Sequence, residues 1–124
     1  MKLHNSMDPN LLSVTGYGPG YITVGEQQLR STFLLTPDQI HPDPGVESVL
    51  ALMPGALPVL NDQAPEILLI GTGQVQRMPA PSFIADLAAR RIGVEYMDTY
   101  AACRTFNILV AEQRRVAALL FIES

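Results

Sequence analysis

An α/β fold built on a mixed central sheet is what this sequence predicts, on three observations. The run Ile67-Leu68-Leu69-Ile70 is continuously apolar and ends on Gly71-Thr72-Gly73, as a strand covered on both faces does. Two helix-period segments follow, each leading into another short apolar run. The N-terminal half carries a hairpin signal, a β-branched and aromatic stretch broken by Gly25-Glu26. The expected architecture is a single compact domain over residues 1–124, with a mixed central β-sheet, a β-hairpin in the N-terminal half and two to three covering helices.

Residues 1–15 read as an irregular or weakly extended arm, and Gly16-Tyr17-Gly18-Pro19-Gly20 as a flexible corner. Tyr21 to Val24 is the first hairpin strand, Gly25-Glu26 a two-residue turn of type II′, and Leu29 to Thr36 the returning strand. Apolar content rises toward Phe33-Leu34-Leu35, where that strand should enter the sheet interior. Pro37 to Gly45 is a proline loop. Val46, Val49, Leu50 and Met53 have helical spacing, stopped by Pro54-Gly55, and Ala56 to Pro65 is either a helical turn or a loop.

Ser82 is a good N-cap for a helix through Arg91, with Phe83, Ile84, Leu87 and Ala88 as its buried stripe and Gly93 as a left-handed C-cap. Val94 to Met97 is a short strand. Asp98 caps a helix from Thr99 to about Glu112, and Arg115 to Ile122 forms the last, central strand.

Composition narrows the function classes. The net charge is −4 with only eight Lys and Arg, whereas nucleic-acid binding requires a basic stripe to neutralise phosphates. The lone Cys103 precludes an internal disulfide, which suits a reducing compartment. Met1 to Asn5 lacks a signal-peptide core, and no run reaches the roughly 18 apolar residues of a membrane span. A cytoplasmic protein of bacterial style, not integral to a membrane, is the expectation.

No catalytic constellation is legible. Gly71-Thr72-Gly73 sits where open α/β sheets bind ligands, but Gln76 stands where a dinucleotide fingerprint needs glycine, and Pro79 and Pro81 delay the helix. Its plain reading is a tight turn; its functional one is a set of backbone amides for an anion or small ligand. Cys103 falls among alanines with no base near it in sequence and reads as a small buried hydrophobe. Asp98, Arg104 and Asn107 either cap and brace the helix or line a pocket with the glycine turn; Arg104 and Asn107, three apart, share a face. His4, His41 and Cys103 have no metal-ligand spacing, so no metal and no cofactor is expected.

Taken together, Ile70-Gly71-Thr72-Gly73, Met97-Asp98-Thr99, Ala101 to Asn107 and Arg114 to Ala118 resemble the Mth-like domain family, long classed as a domain of unknown function. Gly16-Tyr17-Gly18 and Phe33-Leu34-Leu35 extend the resemblance over the whole chain, while the Pro37–Pro65 stretch is richer in proline and glycine than family members lead one to expect. The family includes the mitochondrial respiratory complex I assembly factor three and the adipogenesis-associated Mth-like domain protein. The resemblance implies a mixed α/β domain without established catalytic residues, and a chaperone-like role in assembling a membrane respiratory complex.

The functional expectation is therefore a non-enzymatic protein-interaction or assembly module with a protein partner still to be identified, through an apolar patch near Tyr17, Tyr21 or Ala56–Leu60. Self-association into a homo-oligomer is compatible with it. The alternative is a small-ligand-binding protein or enzyme using a pocket formed by Gly71, Thr72, Gly73, Asp98, Arg104 and Asn107.

Overall fold

Eight strands and two α-helices follow one another in the computed structural model, which describes residues 10–123. They are β1 (Val14–Gly18), β2 (Tyr21–Val24), β3 (Gln27–Leu29), β4 (Phe33–Leu35), β5 (Ile40–His41), β6 (Ile67–Gly71), α1 (Pro81–Ala89), β7 (Gly93–Met97), α2 (Thr99–Ala111) and β8 (Val116–Leu120). The strands form two sheets, a three-stranded antiparallel meander β1-β2-β3 and a five-stranded sheet in the order β5-β4-β8-β6-β7.

The five-stranded sheet is mixed because β6 pairs in parallel with both β7 and β8 while β4 runs antiparallel to β8. The expected hairpin forms, with Val24 opposite Gln27 and Gly25 at φ 60°, but it lies in the meander and not in the central sheet. The stretch expected as one strand from Leu29 to Thr36 is two. The chain leaves the meander after Leu29 and enters the central sheet at Phe33. All three residues of β4 are fully buried, so that segment needs cover on both faces, which the meander cannot supply.

Alternation along each central strand divides the core into two layers. Val116, Ala118 and Leu120 of β8, Phe33 and Leu35 of β4 and Leu69 of β6 pack against Ala102, Cys103, Phe106 and Val110 of α2 and against the meander. Ala117, Leu119, Leu34, Leu68 and Ile70 pack on the other face against Phe83 and Leu87 of α1 and against the segment 46–60. The expected central place of the last strand holds, with β8 in the middle of its sheet.

Several local expectations shift. Of the arm expected over residues 1–15, residues 1–9 lie outside the described residues, and from Val14 the chain is already a strand. Gly16 to Gly18 belong to that strand, with a bulge between Val14 and Gly16, and the corner contracts to Pro19-Gly20 with Gly20 at φ 78°. The helix expected from Val46 to Met53 is only a 3-10 turn, Val49–Ala51. Within the turn Val49 is buried, Val46 before it and Leu52 at its end are buried as well, and Leu50 is instead 86% exposed. Pro44-Gly45 and Pro54-Gly55 bound the stretch on either side.

Pro81, not Ser82, opens α1, with Ala80 at the N-cap position; proline at the first helical position costs no hydrogen bond. Ala88 is exposed, so the buried side of α1 rests on Phe83 and Leu87 with Ile84 half-buried. Gly93 starts β7, and the left-handed residue that ends α1 is Arg91 at φ 63°. The Ile92 amide donates to the Leu87 carbonyl and the Arg91 amide to Ala88, the paired bonds of a Schellman cap. Helix α2 ends the same way, with Gln113 at φ 63°, Arg114 bonded to Leu109 and Gln113 to Val110. At the exposed start of β8, Glu66 accepts from Arg114 Nε at 3.0 Å and from the Arg115 amide at 3.0 Å.

Candidate functional site

The chain leaving β6 runs to α1 on one face of the sheet, and the chain leaving its neighbour β7 runs to α2 on the other. Between two such diverging loops, at the carboxyl ends of parallel strands, open α/β sheets usually leave a ligand crevice. Here the two loops bond to each other and close it. The Thr72 amide donates to the Met97 carbonyl at 2.8 Å, the Thr99 amide to Gly73 at 2.9 Å, and the Gly73 amide to Thr99 Oγ1 at 2.8 Å. Thr99 Oγ1 donates onward to the Phe121 carbonyl at 2.7 Å. Gly71 is glycine because of this closure: a Cβ there would lie 2.9 Å from Thr99 Cα and 3.1 Å from Ala102 Cβ.

Thr72 shapes the loop that follows. Its hydroxyl donates to the Val75 carbonyl at 2.6 Å and accepts from the Arg77 amide at 3.0 Å. The Arg77 guanidinium then bonds Glu123 at 2.9 Å, beyond the end of β8. The amides of Thr72 and Gly73 are thus both used inside the protein, and Thr72 is 1% exposed.

Asp98 caps α2 as its sequence position predicts, accepting from the Ala101 amide at 2.9 Å. Asn107 accepts from the Val14 amide at 2.9 Å and donates to the Val14 carbonyl at 2.8 Å, fastening β1 to the helix. Arg104 Nη1 donates to the Tyr17 hydroxyl at 2.8 Å, and Tyr17 stacks on Tyr100 with ring centroids 4.2 Å apart. Arg104 and Asn107 therefore share a face, as their spacing predicts, and that face meets β1. Gly71, Thr72, Gly73 and Asp98 gather instead at the carboxyl end of the sheet.

Beside that end lies a recess of about 120 Å³. Gly73 and Asp98 contribute to its wall; Gly71, Thr72, Arg104 and Asn107 do not. The rest of the wall includes Tyr21 and Ile22 of β2 with the neighbouring Gly18 and Gly20, Gln74, Thr99 and Tyr100 at the start of α2, and Phe121 to Glu123 after β8. Tyr21 and Glu123 carry no motif in the sequence. The signal that could have found Glu123 is topological, since it follows a strand parallel to β6 and must emerge at the same end. Two wider hollows lie nearby and beyond: one of about 370 Å³ between Leu50 and Arg77, which shares Phe121 to Glu123 with the recess, and one of about 570 Å³ by Asp38, Asp62 and Arg115 at the opposite end of β8.

Burial raises the Tyr100 phenol above its ordinary value, with Tyr17 and Tyr21 beside it acting in the same direction. Cys103 is fully buried, and burial pushes its thiol up to about 12, so it is no nucleophile at neutral pH. Of the apolar patch expected near Tyr17, Tyr21 or Ala56–Leu60, Tyr17, Leu57 and Leu60 are themselves buried and Tyr21 is half-buried; the exposed ring beside Tyr17 is that of Tyr100, stacked on it. Among the described residues, the exposed large apolar side chains are Leu50, Met53, Val75, Met78, Tyr100 and Ile108. Among the described residues, no three His, Cys, Asp or Glu side chains converge as a metal site, and no helix is long and apolar enough to cross a membrane.

Known proteins resemble this chain along most of its length. A solution structure of a Bordetella pertussis protein, described as an Mth938-like domain, matches with a TM-score of 0.76 and 32% identity, covering 98% of this chain and 92% of that one. The NADH dehydrogenase (ubiquinone) 1 alpha subcomplex assembly factor 3 of Danio rerio is 40% identical over 81 residues, 64% of this chain and 42% of its own length. The 13 kDa major membrane protein of Francisella tularensis subsp. holarctica is 32% identical over 75 residues, 60% of this chain and 61% of its own. The chain thus spans less than two thirds of either curated relative. A family model matches residues 14–121, from the first residue of β1 to one residue beyond β8, and the chain belongs to the family it describes, the proteins of unknown function DUF498/DUF598.

Proposed function

We propose that this protein is a non-enzymatic interaction module of the assembly-factor kind, meeting its partner along the outward stripe of α2. The observation that carries this is the set Tyr100, Arg104 and Ile108, spaced by four on the helix, with Tyr100 36% and Ile108 57% exposed. Tyrosine and arginine are the residue types that dominate binding hot spots. Both are held in place before any partner arrives, Tyr100 by stacking on Tyr17 and Arg104 by its bond to the Tyr17 hydroxyl. Side chains ordered in advance lose little entropy on binding. The assembly-factor relative supports a subunit of a membrane respiratory complex as the partner. The single cysteine, and so the lack of an internal disulfide, accords with work in a reducing compartment such as the cytoplasm.

Co-purification of the tagged protein from gently solubilised cells of its host, read by mass spectrometry, tests this. Respiratory-complex subunits are expected to be enriched with the wild type and lost with a Tyr100→Ala, Ile108→Asp double variant whose circular dichroism is unchanged. Equal enrichment with both proteins would refute the α2 surface, and enrichment of the protein's own untagged copy alone would make self-association the function of the stripe.

A second reading, a small-ligand-binding protein or enzyme beside Gly71–Gly73, is favoured by the recess itself. Its volume of about 120 Å³ is small for that role. Sites for whole cofactors or metabolites occupy about 300–1,000 Å³.

A further inference from the structure

We infer that the recess beside Tyr100 is a socket for the guanidinium or ammonium head of a basic side chain carried by the protein partner, an inference that rests on the interaction surface proposed above. The charged side chains lining it are Asp98 and Glu123, both carboxylates. Each has one oxygen engaged, Asp98 with the Ala101 amide and Glu123 with Arg77, and the second oxygen of each holds no bond among the described residues. Ile22 and Phe121, 1% and 5% exposed, give the recess an apolar lining that suits the methylene stem of lysine or arginine. The rings of Tyr21 and Tyr100 stand beside it, where an aromatic face attracts a cation.

Against these carboxylates stand about half a positive charge at the amino end of α2 and the Arg77 guanidinium, which pairs with Glu123 and leaves Asp98 as the carboxylate without a cation partner among the described residues. Arg77 binds Glu123 from outside the recess, and Arg30 stands 5.9 Å from the Tyr21 ring centroid without lining it. An anion would find the Gly73 amide already donated to Thr99. The volume accommodates one side-chain head and little more. The socket is also continuous with the α2 stripe, because Tyr100 belongs to both, so a segment laid along α2 can place a basic residue in it.

The test is an amide NMR titration of the full chain with N-acetyl-argininamide, and with N-acetyl-citrullinamide as its neutral isostere. Saturable shifts are expected at Gly73, Asp98 and Tyr100 with the arginine probe only. Asp98→Asn, which keeps a capping side chain, and Glu123→Gln should each weaken binding roughly tenfold, the effect of removing a charge-assisted hydrogen bond. Equal response to the citrulline probe, or shifts elsewhere, would overturn the socket. In the co-purification experiment, the Asp98→Asn, Glu123→Gln protein should recover less partner. If it recovers as much while the Tyr100, Ile108 variant recovers none, the socket falls and the interaction surface stands. If the probe binds in the recess but no protein partner is recovered with any form, the partner-borne occupant is overturned in favour of a free small cation.

Discussion

Asn107 holds β1 to α2 through two hydrogen bonds to one residue, and Asn107→Ala removes both. Val14 is fully buried, so its amide and carbonyl would be left without partners in a protein interior. A net hydrogen bond contributes about 1 kcal/mol, but an orphaned buried group costs about 1–3 kcal/mol. Two such groups, with some access for water at a half-buried asparagine, give a loss of about 2–4 kcal/mol. Against a typical total of about 5–15 kcal/mol, that is a large fraction. Urea unfolding should show it as a lower midpoint with an unchanged slope. At roughly 4 °C per kcal/mol for a chain of this size, the melting temperature should fall by roughly 8–16 °C. Asn107→Asp keeps an acceptor for the Val14 amide but sets a carboxylate against the Val14 carbonyl, so it should rescue at most part of the loss. Hydrogen exchange at the Val14 amide should accelerate in both variants. A loss under about 1 kcal/mol with Val14 still protected would refute the fastening role and return Asn107 to the ligand candidates.

Other consequences are as direct. Arg91 and Gln113 hold left-handed cap positions at a cost of about 1 kcal/mol each, so Arg91→Gly and Gln113→Gly should each raise stability by about 0.5–1 kcal/mol in urea unfolding; a decrease would contradict the cap geometry. Cys103 should resist thiol reagents in the native protein and react once unfolded, because its thiol is pushed up to about 12. Its folded value lies above its unfolded one, so this contribution is whole below about pH 9 and is lost as pH rises toward 12. Stability should fall there by up to about 1.4 kcal/mol per pH unit, and Cys103→Ala should flatten that fall; parallel pH curves would refute it. Gly71→Ala should cost at least about 1–3 kcal/mol by overpacking against the start of α2, and an unperturbed melting temperature would show that the closed crevice can open.

What the sequence by itself determined is whatever is encoded in neighbouring residues. The order of strands and helices after residue 66, the central place of Val116–Leu120, the turn at Gly25-Glu26 and the Asp98 cap all follow from apolar period, turn chemistry and capping. The expected cap at Gly93 failed for a reason of the same kind: Schellman bonds to Leu87 and Ala88 form two residues earlier, and Arg91 tolerates the left-handed conformation they require.

Tertiary structure alone decided the rest. Whether Leu29 to Thr36 is one strand or two depends on which sheet can cover Phe33-Leu34-Leu35 on both faces. The six candidate residues read as one pocket in the sequence because they are polar or glycine in a likely-looking order. In space Arg104 and Asn107 are engaged by β1, some 90 residues away in the chain, at separations of 87 and 93. The recess draws Tyr21, Tyr100 and Glu123 from three separate elements. No local rule reaches across such distances, since a long-range contact is fixed by the packing of whole layers and not by the residues on either side of it.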